Sequence, residues 1–172
     1  MALMIAIRRA SDTDIPALAR LRYEFRASLS TVMEDEREFH ERFGGWLRVR
    51  LGAGSGWAGW VAESGEELIG TVWIESIPKM PNPVAEPEAH GYLTNFYVVP
   101  RARGAGVGTA LMTAALDWCE AQGMHAVILW PTTRTRRLYE RHGFTRPVAL
   151  MERVIVHGHD PGRENPTEEW LE

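Results

Sequence analysis

Between residues 92 and 130 the apolar positions follow three different patterns in succession. Residues 92–99 are rich in aromatic and β-branched side chains and precede Pro100, which predicts a strand that ends there. From residue 107 the apolar positions recur at helical spacing, and the continuous apolar run at 126–130 is typical of a strand buried on both faces. The pattern predicts a strand, a crossover helix that ends near Gly123, and a second, parallel strand.

The rest of the chain shows simpler patterns of the same kinds. Apolar residues at helical spacing predict a first helix whose apolar face runs from Ile15 to Leu29. A second helix at 34–50 is expected to be interrupted at Gly44 and Gly45. The remaining elements are a predicted hairpin of strands at 57–62 and 67–77, an ordered loop at 78–90 and a last strand at 151–156.

Length and composition fit one globular domain. The chain has 172 residues, of which 45% are hydrophobic, so we expect one domain at residues 1–156 followed by a polar tail at 157–172. Cys119 is the only cysteine, which excludes an intrachain disulfide. The net charge of −4 disfavours nucleic acid as a partner. No apolar run reaches the roughly 18 residues of a membrane span, and we expect a cytoplasmic protein.

A glycine-rich turn joins the predicted strand to the crossover helix. It places three glycines at alternate positions after Arg103 and ends at Thr109. Glycine permits left-handed backbone angles and the close approach of a ligand. The first N–H groups of a helix are unpaired and lie at the positive end of its dipole. We therefore expect a phosphate-bearing ligand here, most simply a pyrophosphate, with Arg103 and Thr109 as additional donors.

Two common phosphate-binding motifs do not match this turn. The nucleotide P-loop requires a lysine followed by serine or threonine after its last glycine, whereas Thr109 and Ala110 follow Gly108. The dinucleotide fingerprint spaces its glycines differently and requires an acidic residue about 20 positions further on. Residues 125–132 contain no carboxylate. Nucleoside triphosphates and NAD are therefore disfavoured as ligands.

Two motifs at compatible spacing resemble the GCN5-related N-acetyltransferase (GNAT) superfamily. One is Val-Val-Pro at 98–100 followed by the glycine-rich turn, and the other is Leu-Tyr-Glu-Arg-His-Gly-Phe at 138–144. Residues 8–14 and 61–70 are also similar to the family, so the resemblance spans residues 4 to about 156. It implies an α/β (α+β) fold with a mixed, mostly antiparallel sheet of six to seven strands. That sheet is splayed between two parallel central strands and flanked by about four helices.

The same resemblance implies acetyl-CoA as the cofactor and assigns roles to matching positions. The Val98 N–H is expected to polarise the acetyl carbonyl, Val99 to hold the pantetheine arm and Tyr139 to protonate the leaving sulfur. Thr132 and Thr135 stand where many members have other residues, which leaves the hydrogen bond near Thr132 open. The implied cofactor-binding residues are Val98, Val99, Arg103, Gly104, Ala105, Gly106, Val107, Gly108, Thr109, Thr132 and Arg136.

The implied activity is transfer of the acetyl group to the amine of a small molecule or peptide by direct attack in a ternary complex. Glu75 and His90 are alternative general bases that would act through water. No metal is expected, and a homodimer is compatible with the pattern. The expected acceptor-contacting residues, on the first helices and the central strands, are Tyr23, Trp73, Glu75, Tyr92 and Asn95.

A second class of function stays open, a module that senses acyl-CoA without catalysing transfer. Tyr139 favours the enzyme, because a pure binding module has no use for a proton donor at the sulfur. Polyamine-acetylating relatives have two carboxylates where this chain has Thr94 and Asn95. A polycationic acceptor is therefore disfavoured.

Overall fold

The computed structural model describes residues 4–29, 34–132, 135–146, 150, 151 and 153. The chain divides into two units, Met1–Leu129 and Trp130–Glu172. The first unit contains the sheet and three of the described α-helices, and the second contains a fourth helix. No helix in these described ranges is both long and apolar enough to cross a membrane.

A sheet with the strand order β1-β2-β3-β4-β5 forms the centre of the first unit. Its strands are β1 (Ile5–Arg9), β2 (Trp57–Ser64), β3 (Glu67–Pro78), β4 (Ala89–Val98) and β5 (Val127–Ile128). Neighbouring strands are antiparallel except β4 and β5, which are parallel. The predicted fold class is confirmed. The described residues form five strands instead of six to seven, and the predicted last strand at 151–156 lies almost entirely outside them.

Strand β3 is the most enclosed part of the sheet. Residues 68–74 are all buried. Trp73 lies over Gly59 of β2, where a Cβ atom would come within 2.8 Å of the indole ring. The Trp73 Nε1–H donates to the Thr71 hydroxyl at 3.0 Å, and that hydroxyl donates to the Trp60 carbonyl at 3.0 Å. The buried polar atoms of this cluster are therefore satisfied, as a closely packed core requires.

Helices cover both faces of the sheet. They are α1 (Ile15–Ala27), α2 (Glu36–Arg50) and α3 (Val107–Ala121). Trp46 of α2 contacts Trp57 of β2 edge-on, with ring centroids 4.9 Å apart. Trp118 of α3 contacts Trp60 of the same strand at 5.6 Å. Because side chains alternate along a strand, two residues three apart lie on opposite faces. Helix α3 therefore packs on one face, and α2 packs on the other.

The predicted interruption of the second helix is wrong. Helix α2 is continuous, and the Asp35 side chain caps its start by accepting from the Arg37 and Glu38 N–H groups. Gly44 is buried where α2 meets α1, and a Cβ there would lie 3.3 Å from Ile15 Cγ2. The glycine permits close helix packing instead of ending the helix.

The crossover unit has the predicted order, but its second strand is shorter than expected. The apolar run at 126–130 yields only β5, whose two residues are half-buried. The pattern predicts a strand covered on both faces. Instead, β5 ends the order of described strands and pairs with β4 over only two residues.

The second unit contains helix α4 (Arg136–Arg141), which overlaps the first part of the motif at 138–144. Gly143 follows it with φ +81°, a left-handed conformation that commonly ends helices. The Phe144 N–H donates to the Tyr139 carbonyl at 3.1 Å, and the two rings meet edge-on with centroids 5.6 Å apart. The conformation of the glycine thus lets the chain turn back so that Phe144 packs on Tyr139.

Candidate active site

Strand β4 separates from β5 and bulges away from regular pairing with β3. The two parallel strands pair only at Gly91 and Tyr92, and β5 ends at Ile128, opposite Tyr92. On the other side of β4, the register with β3 shifts between Thr71 and Trp73. Asn95 lies in this bulge with φ +50°, which is uncommon for a residue other than glycine. Among the described residues, the second half of β4 therefore has no strand partner on the β5 side and an irregular register with β3.

The Val98 backbone faces the opened side of β4. The neighbouring Val99 N–H donates to the Ile69 carbonyl at 3.0 Å, which makes Val98 and Gly70 a non-hydrogen-bonded pair. In such a pair the N–H and C=O groups point away from the partner strand. The Val98 carbonyl accepts instead from Arg103 Nε at 2.9 Å. The Val98 N–H is consequently directed away from β3, toward the opposite edge of β4.

Val99 has a different environment from the one its expected role requires. Its N–H is used by Ile69, and its carbonyl accepts from the Ala102 N–H at 3.0 Å. The side chain is only 1% exposed. The structure therefore gives Val99 a part in anchoring the end of β4, and neither of its backbone polar groups is available to a pantetheine arm.

The turn between β4 and α3 has the geometry of an anion site. Gly104 and Gly106 have φ +78° and +80°, and Gly106 is the N-cap residue of α3. The Ala110 N–H donates to the Gly106 carbonyl, whereas the N–H groups of residues 104–109 have no acceptor among the described residues. Successive backbone N–H groups around left-handed glycines form a concave donor surface. The helix dipole adds positive potential at the same point.

Arg103 connects this turn to the strand. Besides its bond to the Val98 carbonyl, its guanidinium lies 5.9 Å from the Tyr97 ring centroid. Arg103 and Thr109 are both exposed at the start of α3. The turn therefore combines backbone donors, an arginine and a hydroxyl within a few residues, which is the donor set that phosphate oxygens accept from.

In the second unit, Thr132 and Thr135 form a hydrogen-bonded turn at the start of α4. The Thr132 N–H donates to Thr135 Oγ1 at 3.1 Å, and the two hydroxyl oxygens are 2.9 Å apart. The Thr132 carbonyl accepts from the N–H groups of Thr135 at 3.0 Å and Arg136 at 3.1 Å. These bonds position α4 and use the polar groups of Thr132. Cofactor contacts by Thr132 and Arg136 stay predictions.

Tyr139 lies in α4 with a strongly perturbed phenol. It is 7% exposed. Burial raises the pKa of Tyr139 to about 12, because the phenolate would lose its hydration, and a hydrogen bond with the Thr135 side chain opposes this shift. The group therefore retains its proton throughout the neutral pH range. A protonated phenol can donate a proton to a stronger base that forms beside it.

Four of the five predicted acceptor residues lie on β3 and β4, namely Trp73, Glu75, Tyr92 and Asn95. Glu75 and Tyr92 are paired across these strands, and Asn95 lies in the bulge of β4. Glu75 is also paired with Trp57, whose ring contacts α2, so these side chains share the face covered by α1 and α2.

Tyr23 of α1 and Trp73 of β3 have structural contacts instead. The Tyr23 hydroxyl donates to the Glu34 carbonyl at 3.3 Å, and its ring packs on Phe39 of α2 with centroids 5.7 Å apart. Trp73 is 2% exposed and belongs to the buried core. Tyr23 therefore joins the two helices, and Trp73 has no surface with which to contact an acceptor.

Arg22 is a candidate site residue that the sequence reasoning missed. Its Nη1 donates to Asn95 Oδ1 at 3.2 Å, which brings a cation from α1 onto the bulge of β4. One feature of the sequence could have indicated Arg22 as a site residue. Arg22 stands four residues after Leu18 and three before Phe25, on the apolar side of the helix, where a charged residue is unusual.

His90, the alternative general base, lies near the start of β4. Its ring meets that of His125 edge-on, with centroids 5.2 Å apart. Burial is the largest cause that lowers the pKa of His90, and the neighbouring His125 and Lys79 lower it further. The buried Nδ1 has no hydrogen-bond partner in the described part of the chain. A neutral imidazole is therefore favoured at this position.

The opened strand and the donor-lined helix start define a class of protein. They belong to an α/β protein that can bind a phosphate-bearing cofactor at the end of a central strand. The chain belongs to the acetyltransferase (GNAT) family, whose model matches residues 18–144. The resemblance carried by the two sequence motifs is thereby confirmed.

Individual relatives agree with this family assignment. The chain is 34% identical over 117 residues to a mycothiol acetyltransferase from Geodermatophilus obscurus. The matched region covers 62% of this chain and 37% of that protein. A second mycothiol acetyltransferase, from Pseudarthrobacter chlorophenolicus, is 32% identical over 49% of this chain and 26% of its own length. The chain thus spans well under half the length of the curated relatives it matches.

Solved structures share the fold over nearly their full lengths. A protein described as a predicted acetyltransferase with acetyl-CoA, from Clostridium acetobutylicum, has a TM-score of 0.72 and 23% identity and covers 91% of this chain and 99% of that one. A GCN5-related N-acetyltransferase from Ralstonia eutropha has a TM-score of 0.71 and 25% identity, with coverages of 87% and 98%.

Proposed function

We propose that this chain is an N-acetyltransferase that transfers an acetyl group from acetyl-CoA to the amine of a small molecule or peptide while both are bound. The observation that carries the proposal is the Val98 N–H, which points away from β3 at the opposite edge of β4, just before the anion-binding turn. The unpaired N–H groups of residues 104–109 fit a diphosphate. The open edge of β4 fits an extended arm that carries amide groups.

The chemistry of acetyl transfer explains why a backbone donor is useful at this position. Bound acetyl-CoA supplies a thioester whose carbonyl carbon accepts the amine and whose sulfur departs as a thiolate. The Val98 N–H donates to the carbonyl oxygen as negative charge develops on it, in the manner of an oxyanion hole. The Arg103 side chain donates to the Val98 carbonyl, which belongs to the next peptide group, and so helps to fix the end of β4 beside this donor.

Tyr139 is the proposed proton donor to the departing sulfur. The raised pKa keeps the phenol protonated at neutral pH but also makes it a weaker acid, so the pKa alone does not carry the assignment. A general acid must be within hydrogen-bond reach of the atom it protonates, and the family signature at 138–144 is the ground for this placement.

Two residues are proposed as alternatives for the general base. An alkyl ammonium group must lose a proton before its nitrogen can attack. Glu75 lies on the sheet face that α1 and α2 cover, and His90 has an imidazole that is neutral at lower pH than usual. Either residue would act through a water molecule. The ionisation of the acceptor amine itself decides how much help is needed.

One observation favours the alternative of a non-catalytic acyl-CoA sensor. The Tyr139 side chain is nearly enclosed and has a hydrogen-bonding partner in Thr135, so it has a structural use that is independent of catalysis. A sensor would bind the cofactor through the same turn and would release no thiol.

Two measurements on the purified chain separate these functions. Titration calorimetry should detect binding of CoA, and a thiol-release assay with acetyl-CoA should give turnover with at least one amine from a panel of amino acids, alkylamines and arylamines. CoA binding without amine-dependent thiol release would establish the sensor. The absence of CoA binding would exclude both functions.

A further inference from the structure

Arg22 lies among the residues proposed to contact the acceptor, and most of its N–H groups make no hydrogen bond within the described part of the chain. A guanidinium carries five N–H donors. Here one of them, on Nη1, donates to Asn95 Oδ1, and the others have no acceptor among the residues that the structure describes. The Phe25 ring lies 5.8 Å from the guanidinium carbon and packs against that side of the group. The edges that carry the remaining N–H groups are left for a ligand.

Other arginines of the first unit are paired differently. Arg22 has no carboxylate within ion-pair distance in the described ranges, although it is only partly exposed. By contrast, four other arginines of this unit are matched to acidic side chains. These pairs are Arg8 with Asp14, Arg20 with Glu24, Arg42 with Glu34 and Arg101 with Glu67.

The electrostatic environment of Arg22 adds to this imbalance. Burial, together with the positive charge of Arg26 one helical turn later, lowers the pKa of Arg22 to about 10. Tyr92 has a smaller, opposite effect, but it supplies a phenol and not a carboxylate. Arg22 remains charged at neutral pH, so an anion placed here would gain charge-assisted hydrogen bonds and offset the repulsion from Arg26.

Asn95 fixes the orientation of the Arg22 guanidinium. It holds the Arg22 guanidinium through its side-chain oxygen, and its backbone adopts a left-handed conformation that orients it within the bulge. Such a conformation costs energy and is retained where the surrounding structure requires it. Asn95 precedes Val98 by three residues, which is about 10 Å along a strand. A small acceptor whose anionic group binds Arg22 would thus be long enough to place its amine near Val98.

We propose that the acceptor is a carboxylate-bearing amine, of the amino-acid class, whose carboxylate binds the free N–H edge of Arg22 beside Asn95. This inference rests on the proposed acetyltransferase function. A planar guanidinium matches a carboxylate through two parallel hydrogen bonds, which gives orientation as well as affinity. The carboxylate lies away from the reacting amine, so its loss should raise the acceptor KM much more than it lowers kcat.

Matched acceptor pairs test the proposal directly. Each amino acid in the panel is compared with its primary amide, and β-alanine and γ-aminobutyrate extend the spacing between amine and carboxylate. Ethanolamine phosphate tests whether a phosphate is preferred. We expect kcat/KM to be roughly 10- to 100-fold higher for the acids than for their amides, as for one charge-assisted contact. Equal values for acid and amide, or a preference for the phosphate, would overturn the carboxylate assignment.

Substitutions at Arg22 locate the effect. Arg22→Gln should abolish the preference by raising KM for the acids while leaving the amides unchanged, and Arg22→Lys should retain part of it, because lysine lacks the planar fork. Arg20→Gln is the matched control. It removes a charge from the same helix that is already paired with Glu24, and it should preserve the preference. Equal losses for acids and amides in Arg22→Gln, with a lowered melting temperature, would identify a structural role instead.

Equilibrium binding keeps the proposal separate from the catalytic hypothesis. Calorimetric titration of the CoA complex with the same acid and amide pairs requires no turnover. Tighter binding of acids that disappears in Arg22→Gln would support the anion site even if no thiol were released, in which case only the proposed transfer reaction would fail. If amides and acids turned over equally well, the transfer reaction would be supported and the carboxylate site at Arg22 would be contradicted.

Discussion

At the scale of single residues, the Tyr139 hydroxyl can be tested by removing one atom. Tyr139→Phe keeps the ring that packs on Phe144 and removes the proton donor. Because a positioned general acid typically contributes about 10²- to 10⁴-fold, we expect kcat to fall by roughly 100-fold or more while the affinity for CoA stays within about twofold. Steady-state thiol release and calorimetry measure the two quantities. Unchanged turnover in the variant would remove Tyr139 from the mechanism.

The raised pKa of Tyr139 also has a consequence for stability at alkaline pH. The ordinary pKa of 10 describes the unfolded chain, and the folded value is about 12. Below about pH 10 the phenol is protonated in both states, so this group causes no pH dependence. Between about pH 10 and pH 12 the unfolded state loses the proton first, so folding becomes less favourable by up to roughly 2–3 kcal/mol.

Denaturant unfolding of the parent chain and Tyr139→Phe over this pH range checks the sign. The difference in unfolding free energy should be constant below about pH 10 and should shift in favour of the variant above it. A difference that stays constant up to pH 12 would mean that the phenol is not desolvated in the folded state.

The residues that sequence alone could locate are those whose roles are local. Gly104 and Gly106 follow directly from chain connectivity, since a turn before a helix is one continuous segment. Arg22 does not, because its partner Asn95 lies 73 residues further along the chain. Trp73 was placed incorrectly at the acceptor surface for the same kind of reason, since the space above Gly59 that encloses it depends on strand register.

At the scale of elements, the turn before α3 offers a prediction with an internal control. Gly104 and Gly106 have left-handed backbone angles, and a Cβ at either one would meet no atom within 4 Å. Gly104→Ala and Gly106→Ala should therefore each cost about 1–2 kcal/mol of stability through backbone strain. Both should also weaken CoA binding several-fold or more, because the N–H groups around the turn would lose their common direction.

Gly123 supplies the matched control at the other end of α3. It has φ +63° and equally open surroundings, so Gly123→Ala should carry a comparable conformational cost. It lies outside the anion-binding turn, and its substitution should leave CoA affinity unchanged. Melting temperature and calorimetric Kd for the three variants separate the two effects. If Gly123→Ala weakened CoA binding as much as the others, loss of stability would explain all three.

Helices and strands could be predicted where local sequence determines them, and not where they depend on contacts with residues that are distant in sequence. The hairpin of β2 and β3 and the helix α3 were located from local patterns and are observed nearly as predicted. Helix α2 was expected to break at its glycines, but packing against Ile15 of α1 overrides their low helix propensity. The shortness of β5 was also unpredictable, because its extent depends on where β4 diverges from it.

At the scale of the whole molecule, binding of the proposed cofactor should raise thermal stability in proportion to the phosphate groups it offers. A ligand at 100 times its Kd stabilises the folded state by about 2.7 kcal/mol, which for a chain of this size is a rise in Tm of roughly 5–10 °C. The ligands for the comparison are CoA, dephospho-CoA, phosphopantetheine and pantetheine at equal concentration. CoA and dephospho-CoA keep the diphosphate and should give the largest shifts. Pantetheine, which has no phosphate, should give a shift close to zero.

The salt dependence of these shifts identifies the interaction. Exposed charges are screened over about 8 Å at 0.15 M ionic strength and about 3 Å at 1 M, so the diphosphate contribution should shrink as salt is added. The exposed donors of the turn at 104–109 are open to such screening. A shift for pantetheine that equals the shift for CoA, with no sensitivity to salt, would locate the binding energy in the arm and contradict the anion site at the start of α3.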